Sequence, residues 1–203
     1  MANETSDNGS RRYRKRRRAE QERQTRQRIV EAAVKLHGTV GPARTTVSGV
    51  AGEAGVQRAT VYRHFPDEES LFAACSAHYW QSHPRPDPEA WAAIEDPAER
   101  LRAGLGELYG WYGETEEMLD RTGRDIELVP AMQGPAAEFL GYLVGLVAVL
   151  DAGRPERGRA RERVRAALGH AVTFTTWQSL VRGQGLEEAE AIALMAALVE
   201  AAG

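Results

Sequence analysis

Apolar residues return every three to four positions along most of this chain. Ile29, Ala33 and Leu36, flanked by Val30 and His37, form one such stripe, which Gly38 and Gly41-Pro42 bring to an end. Val47, Val50, Ala51 and Ala54 form the next, with Thr45 or Thr46 placed to cap its start. Gly55 breaks the chain, Gln57 to Phe65 reads as a third helix, and Pro66-Asp67 opens a fourth that runs to about Gln81. Asp67, Glu68 and Glu69 fall in that fourth helix's first turn, where the helix dipole favours acids. Beyond a loop, RPDPEAW, the periodicity predicts helices over 97–113, 114–127, 135–151, 157–183 and 187–201, broken at Pro130, Pro135 and GRPERG. Nothing alternates with the period of a strand, so the predicted class is all-α. Phe139 to Leu150, FLGYLVGLVAVL, is an uncharged run of 12 residues. That is too short to span a bilayer and reads as a buried core helix.

Charge divides the chain more sharply than hydropathy does. The net charge of 203 residues is −3, yet the first 65 carry 14 Lys and Arg against 6 Asp and Glu, and the rest carry 12 against 23. A basic module of net +8 is thus followed by an acidic one of net −11, which points to a polyanionic partner for the first. Seven of the eight residues in RRYRKRRR, Arg11 to Arg18, are basic. Charges this dense repel one another, so residues 1–22 read as a disordered arm, with Arg14, Arg16 and Arg17 as candidate nucleic-acid contacts. The one cysteine, Cys75, has no partner for an internal disulfide, and no apolar run follows the N-terminal charges. Both observations favour the cytoplasm over secretion.

Ala51, Gly55 and Val61 have the spacing of a helix-turn-helix: a small residue where two helices cross, a glycine at the turn, an aliphatic wedge behind it. The run TTVSGVAGEAGVQRATVYRHFPDEESLF resembles the DNA-binding domain of the tetracycline-repressor (TetR) family of bacterial transcription regulators. Its AGV turn and YRHF core, preceded by RIVEAAVKLHG, carry the likeness over about residues 25 to 80. The resemblance implies a three-helix DNA-binding domain over 23–66 and a helical effector-binding and dimerisation domain over 67–203. It implies that Gln57, Arg58, Ala59 and Thr60 meet base edges of a palindromic operator, and that Tyr62, His64, Thr45 and Thr46 meet phosphates. The side-chain chemistry agrees, because arginine pairs with guanine in bidentate fashion and hydroxyl donors suit phosphate oxygens. Four positions depart from the family pattern. Gln57 replaces a usual capping serine, Ala59 a frequent glycine, Glu68 a frequent lysine and His37 a usual core phenylalanine; His37 reads as a packed histidine rather than a ligand.

The resemblance further implies a homodimer held by the last two long helices. Val164 and Leu168 on one, and Ile192, Met195 and Val199 on the other, are the candidate interface residues, with Leu194 and Leu198 beside them. An unknown small molecule is the implied effector. Trp111, Tyr112, Met118, Phe139, Tyr142, Phe174, Trp177 and Gln178 are candidates to line its pocket, and Asp125 would favour a cation. Gly106, Gly110 and Gly113 in one helix suggest close helix contact or open space. No cofactor is implied and no membrane partner.

Other classes have less behind them. There is no Gly-rich phosphate loop, no nucleophile elbow and no HExxH, so catalysis has no constellation to rest on. Cys75 and His78, at i and i+3, with His83 nearby, would make a metal-responsive regulator the alternative. A protein binding DNA or RNA without sequence preference through the arginine-rich arm is the other.

Overall fold

The computed structural model describes residues 4–203, and their side chains from residue 11 onward. Every element among the described residues is helical. The chain divides into two compact units, one ending at Tyr79 and one beginning at Trp80.

The first unit comprises α1 (Glu4–Thr39), α2 (Val47–Ala54), α3 (Arg58–His64) and most of α4 (Glu68–Ser82). Its core is the predicted stripe: Ile29, Val30 and Ala33 from α1, Val50, Ala51 and Ala54 from α2, then Val61 and Phe65. Leu71 and Cys75 of α4 close it, which is why the unit runs past the expected boundary at residue 66. Thr46 caps α2 by accepting from the Gly49 amide at 3.0 Å. Gly55 ends α2 in the left-handed region, φ 64°, where any side chain would be strained. Lys35 bridges to Glu53 at 2.7 Å and so ties α1 to α2.

The arm departs from expectation. Residues 4–22 belong to α1, a continuous helix of 36 residues, whereas residues 1–3 of the predicted disordered segment lie outside the described residues. Two ion pairs offset the repulsion at its inner end, Arg18 with Glu22 at 3.3 Å and Arg23 with Glu20. Once α1 is nucleated by its buried half, propagation toward the N-terminus adds a hydrogen bond for each residue fixed.

His37 is packed as expected, buried and stacked on Phe72 with ring centroids 4.5 Å apart. Burial pulls it down to about 4, against an ordinary histidine near 6.5. The unfolded chain takes up its proton as pH falls through about 6.5 and the folded chain only near 4, so the stability present above that window is lost on acidification. The loss should reach about 3 kcal/mol. Melting curves between about pH 7 and pH 4 should show it, and His37→Phe should remove that part of the pH dependence.

The second unit is built around α6 (Pro97–Asp125), which is unbroken where two helices were expected. Leu101, Leu105, Leu108, Tyr109 and Tyr112 along it are fully buried. They meet Leu146 and Leu150 of α7 (Gln133–Asp151), Val164 and Leu168 of α8 (Gly158–Ala171), and Met195 and Val199 of α10 (Glu188–Ala201). The close approach is made at Gly104, where an added Cβ would sit 2.9 Å from the Trp91 ring. Gly106 faces open space instead. Trp91 itself comes from α5 (Pro88–Ala92), a short helix capped by Asp87 inside the stretch expected to be a loop.

The long helix expected over 157–183 is interrupted. α8 stops at Ala171, Thr173 is extended, α9 (Phe174–Trp177) restarts the chain and a wide π turn, Gln178–Gly183, ends it. The carbonyls released at the break are met by two buried phenols, Tyr109 donating to Ala171 at 2.9 Å and Tyr112 to Val172 at 2.6 Å. Helix α7 also differs from expectation. Leu140 and Val144 are 63% and 61% exposed, so it is a half-covered helix rather than a buried one. A short 3₁₀ turn leads into it, and Pro130–Asp151, 22 residues, is by length and composition apolar enough to cross a membrane. Its two charges are held by arginines of the same unit, Glu138 by Arg85 and Asp151 by Arg161.

Candidate functional site

Helix α3 has an inner side and an outer side. Val61 and, just past its end, Phe65 are buried, while Gln57, Arg58, Ala59, Tyr62 and Arg63 face solvent and Thr60 is half-buried. Gln57 occupies the cap position without a side-chain hydrogen bond, as expected where a serine is replaced, and its amide is therefore left to face outward. Tyr62 is 47% exposed. The outer side thus presents a guanidinium, an amide, a methyl and a phenol within six residues, a set that can read base edges and hold a phosphate.

The flanking donors are less uniform. Thr46 accepts the α2 cap bond through its oxygen and keeps its hydroxyl proton to donate. The Thr45 hydroxyl already donates to the Gly41 carbonyl at 2.9 Å. His64 is half-buried, and its Nε2 is shut from solvent without a partner. Burial first, then the neighbouring Arg63, lowers its pKa, with Glu22 opposing them and Arg26 adding a smaller lowering effect. With Nε2 enclosed, the phosphate bond expected of His64 is left to Nδ1. Arg14, Arg16 and Arg17 are exposed along α1. Sequence reasoning does not single out Arg44 and Arg63, both exposed. Their adjacency to Thr45 and Tyr62 is the signal that could have found them.

In the second unit, six of the predicted pocket residues join in one set of ring contacts. Trp111 meets Tyr112 at 5.5 Å and Phe139 at 6.1 Å, Phe139 meets Tyr142 at 6.0 Å, and Tyr112 meets Phe174 and Trp177 at 5.4 and 6.1 Å. Tyr112 and Trp177 are fully buried, and the Trp177 indole N–H has no protein acceptor. Met118 is buried on α6. Two members do not fit the expectation. Asp125 is buried against the Arg124 guanidinium at 2.8 Å, which already neutralises it, and Gln178 donates to Asp120 at 3.0 Å.

The predicted dimer residues need a larger correction. Val164, Leu168, Met195 and Val199 are at most 5% exposed, because they fill the unit's own core, and Ile192 is partly buried against it. What α10 leaves outside is Leu194 and Leu198, 47% and 44% exposed, one turn apart and flanked by exposed Ala193 and Ala197.

The metal alternative loses its soft ligand. Cys75 is buried against the Val30 carbonyl, and burial pushes its thiol up to about 12, whereas a metal needs the thiolate. No group of three or more His, Cys, Asp or Glu residues among the described residues is arranged to hold a metal ion.

Residues 29–75 match the family described as bacterial regulatory proteins, tetR family. No curated protein sequence matches the chain. Among solved structures, a TetR-like transcriptional regulator from Rhodococcus sp. RHA1 shares 19% identity over 86% of this chain and 93% of its own, with a TM-score of 0.60. A TetR transcription regulator from Haloarcula marismortui ATCC 43049 shares 20% over 87% and 97%, also at 0.60. Both share the fold. The multidrug binding protein EbrR, solved with imidazole, shares 25% identity over 85% of this chain and 88% of its own, with a TM-score of 0.51. With α3 turning a polar side outward inside the stretch that matches the tetR family, and a helical body behind it, the chain has the fold of these solved regulators, and the likeness in sequence to the family lies in residues 29–75.

Proposed function

We propose that the protein is a dimeric repressor that holds a palindromic operator with two copies of α3 and releases it when a small molecule occupies the helical body. The observation that carries the reading is the two-sided character of α3, with Val61 and Phe65 locked in the core while Arg58, Ala59 and Tyr62 stand outside. Arg58→Ala should cost roughly 1–3 kcal/mol at the preferred site and relax base choice there, with little effect on random DNA. Titrations of selected operator and its single-base variants test this; equal losses on every sequence would reduce Arg58 to a phosphate contact.

The release step is supported by the placement of α4. Its earlier turns supply Leu71 and Cys75 to the first core, and its last turn places Trp80 against Trp111, ring centroids 5.5 Å apart, in the aromatic set of the body. A ligand that rearranges those rings acts on the helix that completes the DNA-binding core. The 25%-identical neighbour is a multidrug binding protein, which supports a ligand-binding body here too. Coupling of this sort is reciprocal, so the effector must weaken operator binding by the same factor as operator weakens effector binding.

A further inference from the structure

The segment between α4 and α5 carries Arg85, whose guanidinium is enclosed by rings rather than by carbonyls. Its centre lies 5.1 Å from the Trp80 ring, 5.4 Å from Tyr142 and 5.6 Å from Phe139, all within cation–π range. The side chain is 16% exposed, and Glu138, which it bridges at 3.1 Å, is 73% exposed. Its Nε is shut from solvent with no acceptor. Arg100 shows how the same body holds an arginine that knits the chain together: it is buried and donates to the carbonyls of Ile94, Glu95, Val149 and Ala152. Buried donors are ordinarily satisfied in that manner, and one left unmade is costly. Arg85 fills a place suited to a cation, and the bond it makes there is to a carboxylate that is itself mostly exposed.

We propose that Trp80, Phe139 and Tyr142 form a binding site for a small organic monocation, such as a quaternary ammonium or amidinium, and that Arg85 is a built-in competitor which the ligand displaces. The proposal rests on the effector-responsive reading above and names the chemistry of its effector. Ring faces carry the negative end of the aromatic quadrupole, and Asp87 and Glu107 lie close enough to act on the Tyr142 phenol. With Arg85 swung out together with its exposed partner Glu138, the site is left with three ring faces near the carboxylates of Asp87 and Glu107, a setting that favours a cation in its place. The backbone need not move. Trp111 donates to the His83 carbonyl at 3.2 Å and Tyr142 to the Pro86 carbonyl at 3.0 Å, and Pro84 and Pro86 restrict φ on either side of Arg85. Rotation of the long Arg85 side chain suffices, next to the exposed Pro84 and Asp87.

The test is calorimetric titration of benzyltrimethylammonium, and separately of the anion 3-phenylpropanoate, into the full-length protein. Arg85→Ala should bind the cation at least tenfold more tightly than the unmodified chain, and Glu138→Gln, which loosens the competitor, a few-fold more tightly. Adding Phe139→Leu to Arg85→Ala should abolish the gain. Unchanged or weaker cation binding in Arg85→Ala overturns the proposal, as does anion binding that is tighter in the unmodified chain and lost in the variant, since Arg85 would then be an anion receptor. If Arg85→Ala does not fold, Glu138→Gln decides alone, and no gain there overturns the proposal. Operator binding is measured on the same samples without either probe. Its failure would count against the DNA-binding reading alone, and operator binding with no cation response against the cage alone.

Discussion

Leu198→Arg should turn the protein into a monomer that no longer holds a palindromic operator. In the folded chain Leu194 and Leu198 are the large apolar side chains of α10 that the protomer leaves exposed, and an apolar pair at that level of exposure is inexpensive to substitute in a monomer. In a dimer built on this face, the arginine would be desolvated against its symmetry mate, a penalty on the order of 3–5 kcal/mol. At about 1.4 kcal/mol per tenfold, dimer affinity falls by roughly two to three and a half orders of magnitude. Operator binding falls with it, because each half-site alone is held by one recognition helix. Sedimentation should show a folded monomer at micromolar concentration, with an unchanged thermal melt, and gel shifts should show weak half-site binding only. A variant that remains dimeric would move the interface elsewhere, the exposed Leu140 and Val144 face of α7 being the next surface to substitute. The same change at Met195 or Val199 would be uninformative, since those side chains are buried in the protomer and the body itself would unfold.

The second large effect belongs to the basic helix. Changing Arg11, Arg12, Arg14, Lys15, Arg16, Arg17 and Arg18 to Gln keeps good helix formers and removes seven positive charges. Each phosphate that is no longer neutralised should flatten the log–log salt slope by about 0.9, so four to six of them would flatten it by roughly 4–5. At low salt, affinity should fall by roughly two to three orders of magnitude for operator and random duplex alike, leaving the ratio between them intact. Helicity of the free protein should rise, because Arg11 and Lys15, Arg12 and Arg16, and Arg14 and Arg18 are like charges four residues apart, each pair costing about 0.2–0.5 kcal/mol. Circular dichroism and salt-dependent binding check both halves. A variant unable to discriminate between sites would show that the arm reads sequence.

The N-terminal unit was legible because its information is local. Gly55, Ala51 and Val61 constrain one turn and one crossing, and Thr46 caps the helix it precedes, so a short window contains both cause and effect. The body was read less well, for the opposite reason. A helix apolar on two sides leaves its partner unspecified, and Met195 and Val199 were as suited to a second protomer as to α6, which took them. The break after Ala171 depends on Tyr109 and Tyr112, some sixty residues earlier in the chain, to receive its carbonyls. Arg85 could not have been found from spacing at all, since its rings arrive from α4 and α7.

Since α1 carries the basic stretch and Ile29, Val30 and Ala33 without a break, the charges have an angular phase fixed by the core. One residue inserted between Glu22 and Arg26 would turn everything before it by about 100° and advance it by about 1.5 Å. A flexible tail would absorb such an insertion without consequence. Here the charges would point to a different azimuth, and a second insertion would turn them further, so that binding should vary with the number of inserted residues and recover when a whole turn has been added. The arm is a spoke keyed to its hub, and its aim is set by counting residues.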